Sequence, residues 1–456
     1  MFCLVFYVVA DKAFCNEFVK DVVNLGFGDF AFFSQGTDGC FSKFYKCKVH
    51  FDFTFGKPYF PEEFLVHYVK NVVRLFNGIP SRGKIEINTG VRSHLIMKKL
   101  AVLGVLLFVA ACASKETVTI GGLFPLTGGL SQYGEVAQNA ALLAVEEINA
   151  AGGVNGAMLK IDLQDHQCTP KLALSIVEQL IAQGVKVYTS AACSGTVISI
   201  APILEKNNAA LVGTIVTAPK LTNISQAVFR NWASDINEAR LFADEIKRKG
   251  YQKIGVIYEE TEYAQGLKIS LEQFLSESGI QIVSESFAPT ATDVRSQLAK
   301  LQDQNPDLLF VSPQTVTSAD MIFKELAELE YRPRLLVNDN VIKAVDLHKR
   351  YALLLDGAIG GDYIVEASAK LEKFKAQYRA KYGKDCAQLN ICAGVYDAVH
   401  MLAQSMEQVD VRSALQTIDY SGASGRIQFD KAHDRVGTEY TLFVIRNGTA
   451  VPYAQT

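Results

Sequence analysis

The chain has 456 residues, with 45 basic and 48 acidic side chains, a net charge of −3 and 20% charged residues. That length exceeds one ordinary hydrophobic core and calls for two or more domains. The near balance of charge leaves no electrostatic case for nucleic acid or an anionic membrane surface as a partner.

Composition changes sharply along the chain. Sixteen of the 27 Phe residues precede residue 97, in a segment that also holds Cys3, Cys15, Cys40 and Cys47. No repeat, motif or clean periodicity marks residues 1–96 as a domain. At Met97 the pattern becomes recognisable: Lys98-Lys99, an apolar run from Leu100 to Val109, then Ala110-Ala111-Cys112. A basic start, a short apolar core and small residues describe a secretory signal; a membrane-spanning helix needs ~20 apolar residues. The Cys directly after two small residues resembles a bacterial lipobox, which implies cleavage before Cys112 and its acylation. A signal belongs at an N-terminus, so translation is expected to begin at Met97, with residues 1–96 upstream of the true start. The alternative is a genuine extra domain. On the first reading 97–111 is a lipoprotein signal peptide and 112–116 a lipidated tether. The protein is then exported, to the periplasm or cell surface, and held at the membrane by lipid at Cys112.

From Val118 the chain alternates short β-branched runs with amphipathic helices. Val118–Leu123, Leu159–Leu163, Val185–Tyr188 and Ala209–Gly213 read as strands. The first helix shows Val136, Ala140, Leu143, Ala144, Ile148 and Ala151 at three-to-four spacing and stops at Gly152-Gly153. Thr169-Pro170 opens the second in the N-cap and N1 positions, and another helix follows Ser194. A second series follows Asn231-Trp232-Ala233, with strands at Ile254–Tyr258, Ile280–Phe287 and Leu308–Val311 and helices at Gly266–Ser278 and Val294–Gln304. The chain crosses over again near Gly357–Asp362, before helices at Leu371–Tyr382 and Ile391–Gln408. Gly425–Asp430 is expected to pair with a last strand, Tyr440–Arg446. The fold class is α/β: two doubly wound parallel-sheet lobes joined by crossover hinge strands. Lobe 1 comprises 117–232 with about 364–423, and lobe 2 comprises 233–363 with about 424–456.

In open parallel sheets ligands sit at the carboxyl ends of strands, where helix N-termini point. Three such loops fall in the first lobe: Thr127–Gly134, Cys193–Thr196 and Ile215–Pro219. The last two set a hydroxyl beside a small residue, an arrangement that lets backbone N–H groups and the hydroxyl meet an anionic group. Each Ser or Thr could equally be only a helix cap. Enzyme readings lack their signatures. There is no phosphate-cradling Gly-Lys-Ser/Thr, and Ser194 lacks the Gly-x-Ser-x-Gly context of a hydrolase. His166, His348, His400 and His433 show no metal-ligand spacing, so no metal, cofactor or catalytic residue is expected. Cys168, Cys193, Cys386 and Cys392 in an exported chain read as a disulfide framework of unassigned connectivity.

Several ordered motifs resemble the branched-chain amino-acid (leucine/isoleucine/valine)-binding family of type I periplasmic binding proteins. They are Pro125-Leu126-Thr127-Gly128 with Gln132-Tyr133-Gly134, Glu147-Ile148-Asn149-Ala150-Ala151-Gly152-Gly153, Asp165-His166-Gln167-Cys168-Thr169-Pro170-Lys171, Cys193-Ser194 and Thr217-Ala218-Pro219-Lys220-Leu221-Thr222. The resemblance covers nearly all of 117–456. It implies a Cys168–Cys193 disulfide bracing the loop of Ser194. It also implies an α-carboxylate held by Ser194 and Thr217 with backbone help at Ile215. Tyr133 lines the pocket, Tyr263 closes over the ligand and Asp339 meets the α-ammonium. The family's Gly- and Tyr-rich segment is replaced by Ser312-Pro313-Gln314-Thr315, where Gln314 or Thr315 faces the ligand, and Asn338 and Asn340 flank Asp339. Cys386 and Cys392 are candidates for a second disulfide. Six residues apart on one helix they could not meet, so Cys386 must lie in the loop before it. The resemblance implies a monomeric, non-catalytic solute-binding lipoprotein that delivers an amino acid to the permease and ATPase of an ABC importer. The rival is a ligand-sensing lipoprotein acting through a signalling partner.

Overall fold

The structure, a computed structural model, describes residues 116–454. Upstream it describes only the two-residue strands Ala31–Phe32 and Tyr45–Lys46, paired antiparallel with Ala31 opposite Lys46. The expected signal peptide at 97–111, Cys112 and the rest of 1–96 lie outside the described residues.

The first half builds a five-stranded sheet. Its elements are β1 (Thr117–Phe124), α1 (Ser131–Ala150), β2 (Met158–Asp165), α2 (Pro170–Ala182), β3 (Val187–Ala191), α3 (Ser194–Lys206), β4 (Ala210–Thr214) and β5 (Val228–Arg230). All neighbours are parallel, in the order β2-β1-β3-β4-β5. Strands β3 and β4 are buried along their whole length, as parallel strands covered on both faces must be. Successive residues feed opposite cores. Val212 joins Ile120 and Phe124 on one face, and Leu211 joins Leu123 and Tyr188 on the other.

The second sheet is larger. Its elements are α4 (Asp235–Lys249), β6 (Lys253–Glu259), α5 (Glu262–Leu275), β7 (Gln281–Phe287), α6 (Arg295–Asp303), β8 (Leu308–Ser312), α7 (Val316–Glu328), β9 (Leu335–Val337), the short α8 (Asp339–Lys343) and β10 (Ile359–Tyr363). The chain then returns to the first core as α9 (Ala369–Tyr382) and α10 (Leu389–Met406), the latter packed along α1. A hairpin follows, β11 (Tyr420–Gly422) with β12 (Gly425–Ile427), before β13 (Tyr440–Arg446) and β14 (Thr449–Pro452) complete the second sheet. The order there is β14-β13-β10-β9-β8-β6-β7, parallel from β10 to β7, with β13 antiparallel to both its neighbours. The fold is therefore α/β with two mainly parallel sheets, as the alternating pattern implied.

Two boundaries moved for local reasons. Helix α5 begins at Glu262, four residues before Gly266, because the Thr261 hydroxyl caps it by accepting from the Ala264 amide at 3.2 Å. Gly266 lies inside the helix where the first half comes close: a Cβ there would sit 2.8 Å from Pro219 Cδ. The pairing expected between Gly425–Asp430 and Tyr440–Arg446 is not formed. Gly425, at φ +98°, closes a hairpin with β11 instead. Asp397 fixes its turn by accepting from the Ala423 and Ser424 amides at 2.8 and 2.7 Å. Ile427 and Phe429 stay in the first core, so the last passage to the second sheet falls between Phe429 and Tyr440. That passage, Asn231–Ser234 and 364–368 are three neighbouring crossings among the described residues.

Candidate functional site

The carboxyl ends of β3 and β4 face those of β6, β8 and β9 across a cleft with about 310 Å³ of atom-free space. That figure includes open solvent; the room left for whole water molecules is only about 20 Å³, so the two walls lie close together in this conformation.

The first-sheet wall rests on unusual backbone. Ala192 and Cys193 are consecutive left-handed residues, at φ +63° and +57°, and they place Ser194 at the start of α3. Cys193 is bonded to Cys168 with Cα atoms 5.3 Å apart, and the Cys168 amide donates to His166 Nδ1 at 3.1 Å. Ser194 Oγ accepts from the Ala218 amide at 3.1 Å, tying this loop to the one after β4. In that second loop Ile215 has φ +52°. A β-branched residue in this region costs of order 1–3 kcal/mol and persists only where its surroundings hold it. Behind Thr217 lies Arg230, 1% exposed. Its Nη1 donates to the carbonyls of Thr217 and Ala218 at 2.9 and 3.1 Å, and its Nε donates to Asp434 at 2.9 Å.

The second-sheet wall centres on α8. Asn338 is its N-cap, accepting from the Val341 amide at 3.3 Å and donating to the Pro313 carbonyl at 2.7 Å. This fixes the register, so Asp339 is the first helical residue. Its Oδ1 accepts from Tyr263 Oη at 2.5 Å, and its Oδ2 binds the Lys343 ammonium, which also reaches Asp362 Oδ1 at 3.1 Å. The Asp339 amide donates to Glu238 Oε1 at 3.1 Å. The Gln314 amide donates to Glu259 at 2.7 Å, and the Gln314 carbonyl accepts from Asn340 Nδ2 at 3.0 Å. Thr315, by contrast, caps α7. Tyr133, in the first turn of α1, reaches across to Asn340 Oδ1 at 3.5 Å.

Burial dominates the electrostatics. It pushes the Asp235 carboxyl up to about 8 and Glu238 well above the carboxylate range, each reinforced by the charge of Asp339. Burial raises Tyr133 to about 12 and Tyr263 well above its ordinary value. It also raises Asp362, opposed by Lys343. Burial alone would lower Lys343, but Asp339 and Asp362 reverse the sign and leave it raised.

All seven sequence-expected ligand residues line this one cleft: Tyr133, Ser194, Ile215, Thr217, Tyr263, Gln314 and Asp339. Cys386 and Cys392 form the second disulfide, with Cys386 in the loop before α10. Sequence reasoning missed Asn340, which lines the cleft, and the buried set Asp235, Glu238, Lys343 and Asp362 behind it. The one available signal was Lys343 four residues after Asp339, the helical ion-pair spacing. It also missed that His166, Cys168 and Cys193 converge, their ligand atoms within 4.8 Å of one another. Both sulfurs there belong to the disulfide.

Two mainly parallel α/β sheets that meet at strand ends around a small polar cleft define a ligand-binding protein of two lobes. The model of the periplasmic binding protein family matches residues 117–450, and the chain belongs to that family. Among its relatives is the leucine-, isoleucine-, valine-, threonine- and alanine-binding protein of Pseudomonas aeruginosa. The two are 23% identical over 76% of this chain and 95% of that protein. The fold is similar to the leucine-binding protein LivK of Thermotoga maritima, at TM-score 0.66 and 23% identity, covering 74% of this chain and 98% of that one. It is also similar to the branched-chain amino-acid transporter substrate-binding protein LivJ of Streptococcus pneumoniae, solved with isoleucine. There the TM-score is 0.61 at 23% identity, covering 74% of this chain and 100% of that one. The first two are named for the amino acids they bind, and the third as the substrate-binding protein of a transporter.

Proposed function

We propose that the protein is an exported, lipid-anchored receptor that closes around an amino acid and delivers it to the permease and ATPase of an ABC importer. The observation that carries this reading is the chemical division of the cleft. Ser194, Thr217 and the strained Ile215 backbone present donors on one wall, and Asp339 presents a carboxylate on the other. A zwitterion satisfies both. Hydrogen bonds to a charged group contribute roughly 1.5–3 kcal/mol each, so a few donors suffice for the α-carboxylate. Asp339 takes the ammonium, Tyr263 closes over it, and Tyr133 and Gln314 bound the side chain. The receptor acts as a monomer, and the relatives' binding of branched-chain and small amino acids supports ligands of that kind. Acylation of Cys112 holds it at the membrane and is tested by the intact mass of the native protein, with a Cys112→Ala variant as control.

The test of the ligand uses protein expressed from Ala113 onward, freed of bound ligand by unfolding and refolding. Ligand at ~100-fold above its Kd stabilises the native state by about 2.7 kcal/mol. A rise in melting temperature with one group of L-amino acids is the expected result. Flat curves for every amino acid, from folded protein, would reject the reading.

A further inference from the structure

The acid expected to meet the ligand's ammonium already has an ammonium beside it. Lys343 is 7% exposed at its side chain and lies between Asp339 and Asp362, 3.1 Å from the latter. Asp362 comes from β10, whereas Asp339 and Lys343 come from α8. The three groups therefore bring two carboxylates and one cation to one buried place. Their neighbours do not alter that balance. Asp235 and Glu238 on α4 are raised by burial, reinforced by the charge of Asp339, which favours their neutral forms. Tyr133, Tyr263 and Tyr440, from α1, α5 and β13, are raised and uncharged. Arg230 is matched by Asp434, and Glu259 is engaged by the Gln314 amide.

We propose that Lys343 and Asp362 set the cleft's specificity for the ligand's α-substituent. Lys343 cancels one carboxylate and Asp362 leaves one negative charge in excess. The cleft then takes a ligand with a single ammonium and disfavours both the 2-hydroxy acid and an amino acid carrying a second, side-chain ammonium. Both are positioning residues: they act through Asp339 and sit behind it. The inference rests on the amino-acid reading above and refines it. Without Lys343, two buried carboxylates would share a proton rather than both ionise. Without Asp362, a ligand ammonium would enter a group already neutral and be buried uncompensated.

The experiment is calorimetric titration of ligand-free protein with an amino acid that binds it, the matching 2-hydroxy acid, and the analogue with a side-chain amino group. Wild type, Asp362→Asn, Asp362→Glu and Asp362→Asn/Lys343→Met are compared at pH 7. Asp362→Asn is expected to lose roughly 100-fold in affinity for the amino acid, the scale of an unpaired buried charge. Its affinity for the hydroxy acid should change little. Asp362→Glu should keep the wild-type ratio. The double variant, with Asp339 alone, should regain most of the discrimination, whereas a purely structural role predicts a further loss. Equal losses for both ligands in Asp362→Asn, or a double variant that discriminates no better, overturn the inference. The wild-type arm needs no variant to fold: a second ammonium should weaken binding about tenfold or more. Equal or tighter binding of that analogue also overturns it. Wild-type protein that binds the hydroxy acid and no amino acid sinks the amino-acid reading itself, a separate failure.

Discussion

Replacing Arg230 by methionine should unfold the protein far more readily and weaken ligand binding at the same time. The side chain is 1% exposed and spans from the loop of Thr217 to Asp434 in the last crossing. Its guanidinium donates to Asp434, to the Thr217 and Ala218 carbonyls and to the Thr222 hydroxyl, at 2.8 to 3.1 Å. Removing one partner of a buried ion pair costs about 3–5 kcal/mol, because the other charge stays behind. Here Asp434 keeps partial exposure, at 16% of its side chain, and retains the Thr222 hydroxyl, which favours the lower end. Two orphaned carbonyls act in the opposite direction at roughly 1–3 kcal/mol each, so about 4 kcal/mol is the expected loss. For a chain of this size that is a fall of about 5 °C in melting temperature. Scanning calorimetry measures it, and a double-mutant cycle with Asp434→Asn separates the ion pair from the carbonyls. A loss under about 1 kcal/mol, or strict additivity of the two substitutions, would refute the reasoning.

Asp339→Ala should abolish measurable amino-acid binding, a loss of roughly 100-fold or more, since the ligand's ammonium would be buried unpaired. Retained affinity by calorimetry would show that another acid, or none, meets the ligand. Stability should fall as pH rises. Asp235 is raised to about 8 and Asp397 to about 6, so the native state holds protons that the unfolded chain releases near pH 4. The stabilisation is complete below about pH 4 and is lost as pH climbs through 6 for Asp397 and through 8 for Asp235. Asp235→Asn, which mimics the protonated acid, should flatten the decline toward pH 8 in urea titrations; an unchanged slope would assign it elsewhere. Reducing the Cys168–Cys193 bond should lower ligand affinity with little change at Cys386–Cys392, because only the first bond anchors the loop of Ser194. Selective substitution of each pair by serine, followed by titration, checks this.

Much of the architecture was legible because parallel α/β units write themselves locally. Short buried runs such as Leu308–Phe310 and the glycine stop at Gly152 declare their elements without distant help. The first-sheet site was legible for the same reason, since Ser194 and Thr217 follow their strands directly. What escaped depends on partners far away in sequence. Arg230 meets Asp434 across 204 positions, and no local pattern joins them. The hairpin of Gly422 and Gly425 was missed because its turn is held by Asp397, from α10. Asp339 could be placed from resemblance alone and its counter-ion Lys343 sits at helical ion-pair spacing, but Asp362, which shares Lys343, comes from a different strand and left no local signal. Pro219 explains Gly266 only once the two halves are side by side.

That last contact bears on how the cleft works. In this conformation the two halves touch across the site. Among the contacts are the 3.5 Å bond from Tyr133 to Asn340, the ion pair of Lys220 with Glu262 at 2.9 Å, and close approaches at Gly266 and Gly129. The ion pair is 59% and 42% exposed, and exposed pairs contribute about 0–1 kcal/mol. A long hydrogen bond adds no more. At the crossings, by contrast, Arg435 donates to the Asn231, Ser424 and Arg426 carbonyls at 2.7 to 3.2 Å, and its guanidinium lies over the Tyr363 ring. The hinge is thus pinned by buried hydrogen bonds. A ligand shifts a two-state equilibrium between open and closed lobes only by what it gains in one state over the other. A zwitterion that bridges Ser194 and Thr217 to Asp339 gains both walls only when they are together. The closed state is then a report that the cleft is filled, which is what a downstream partner must be able to read.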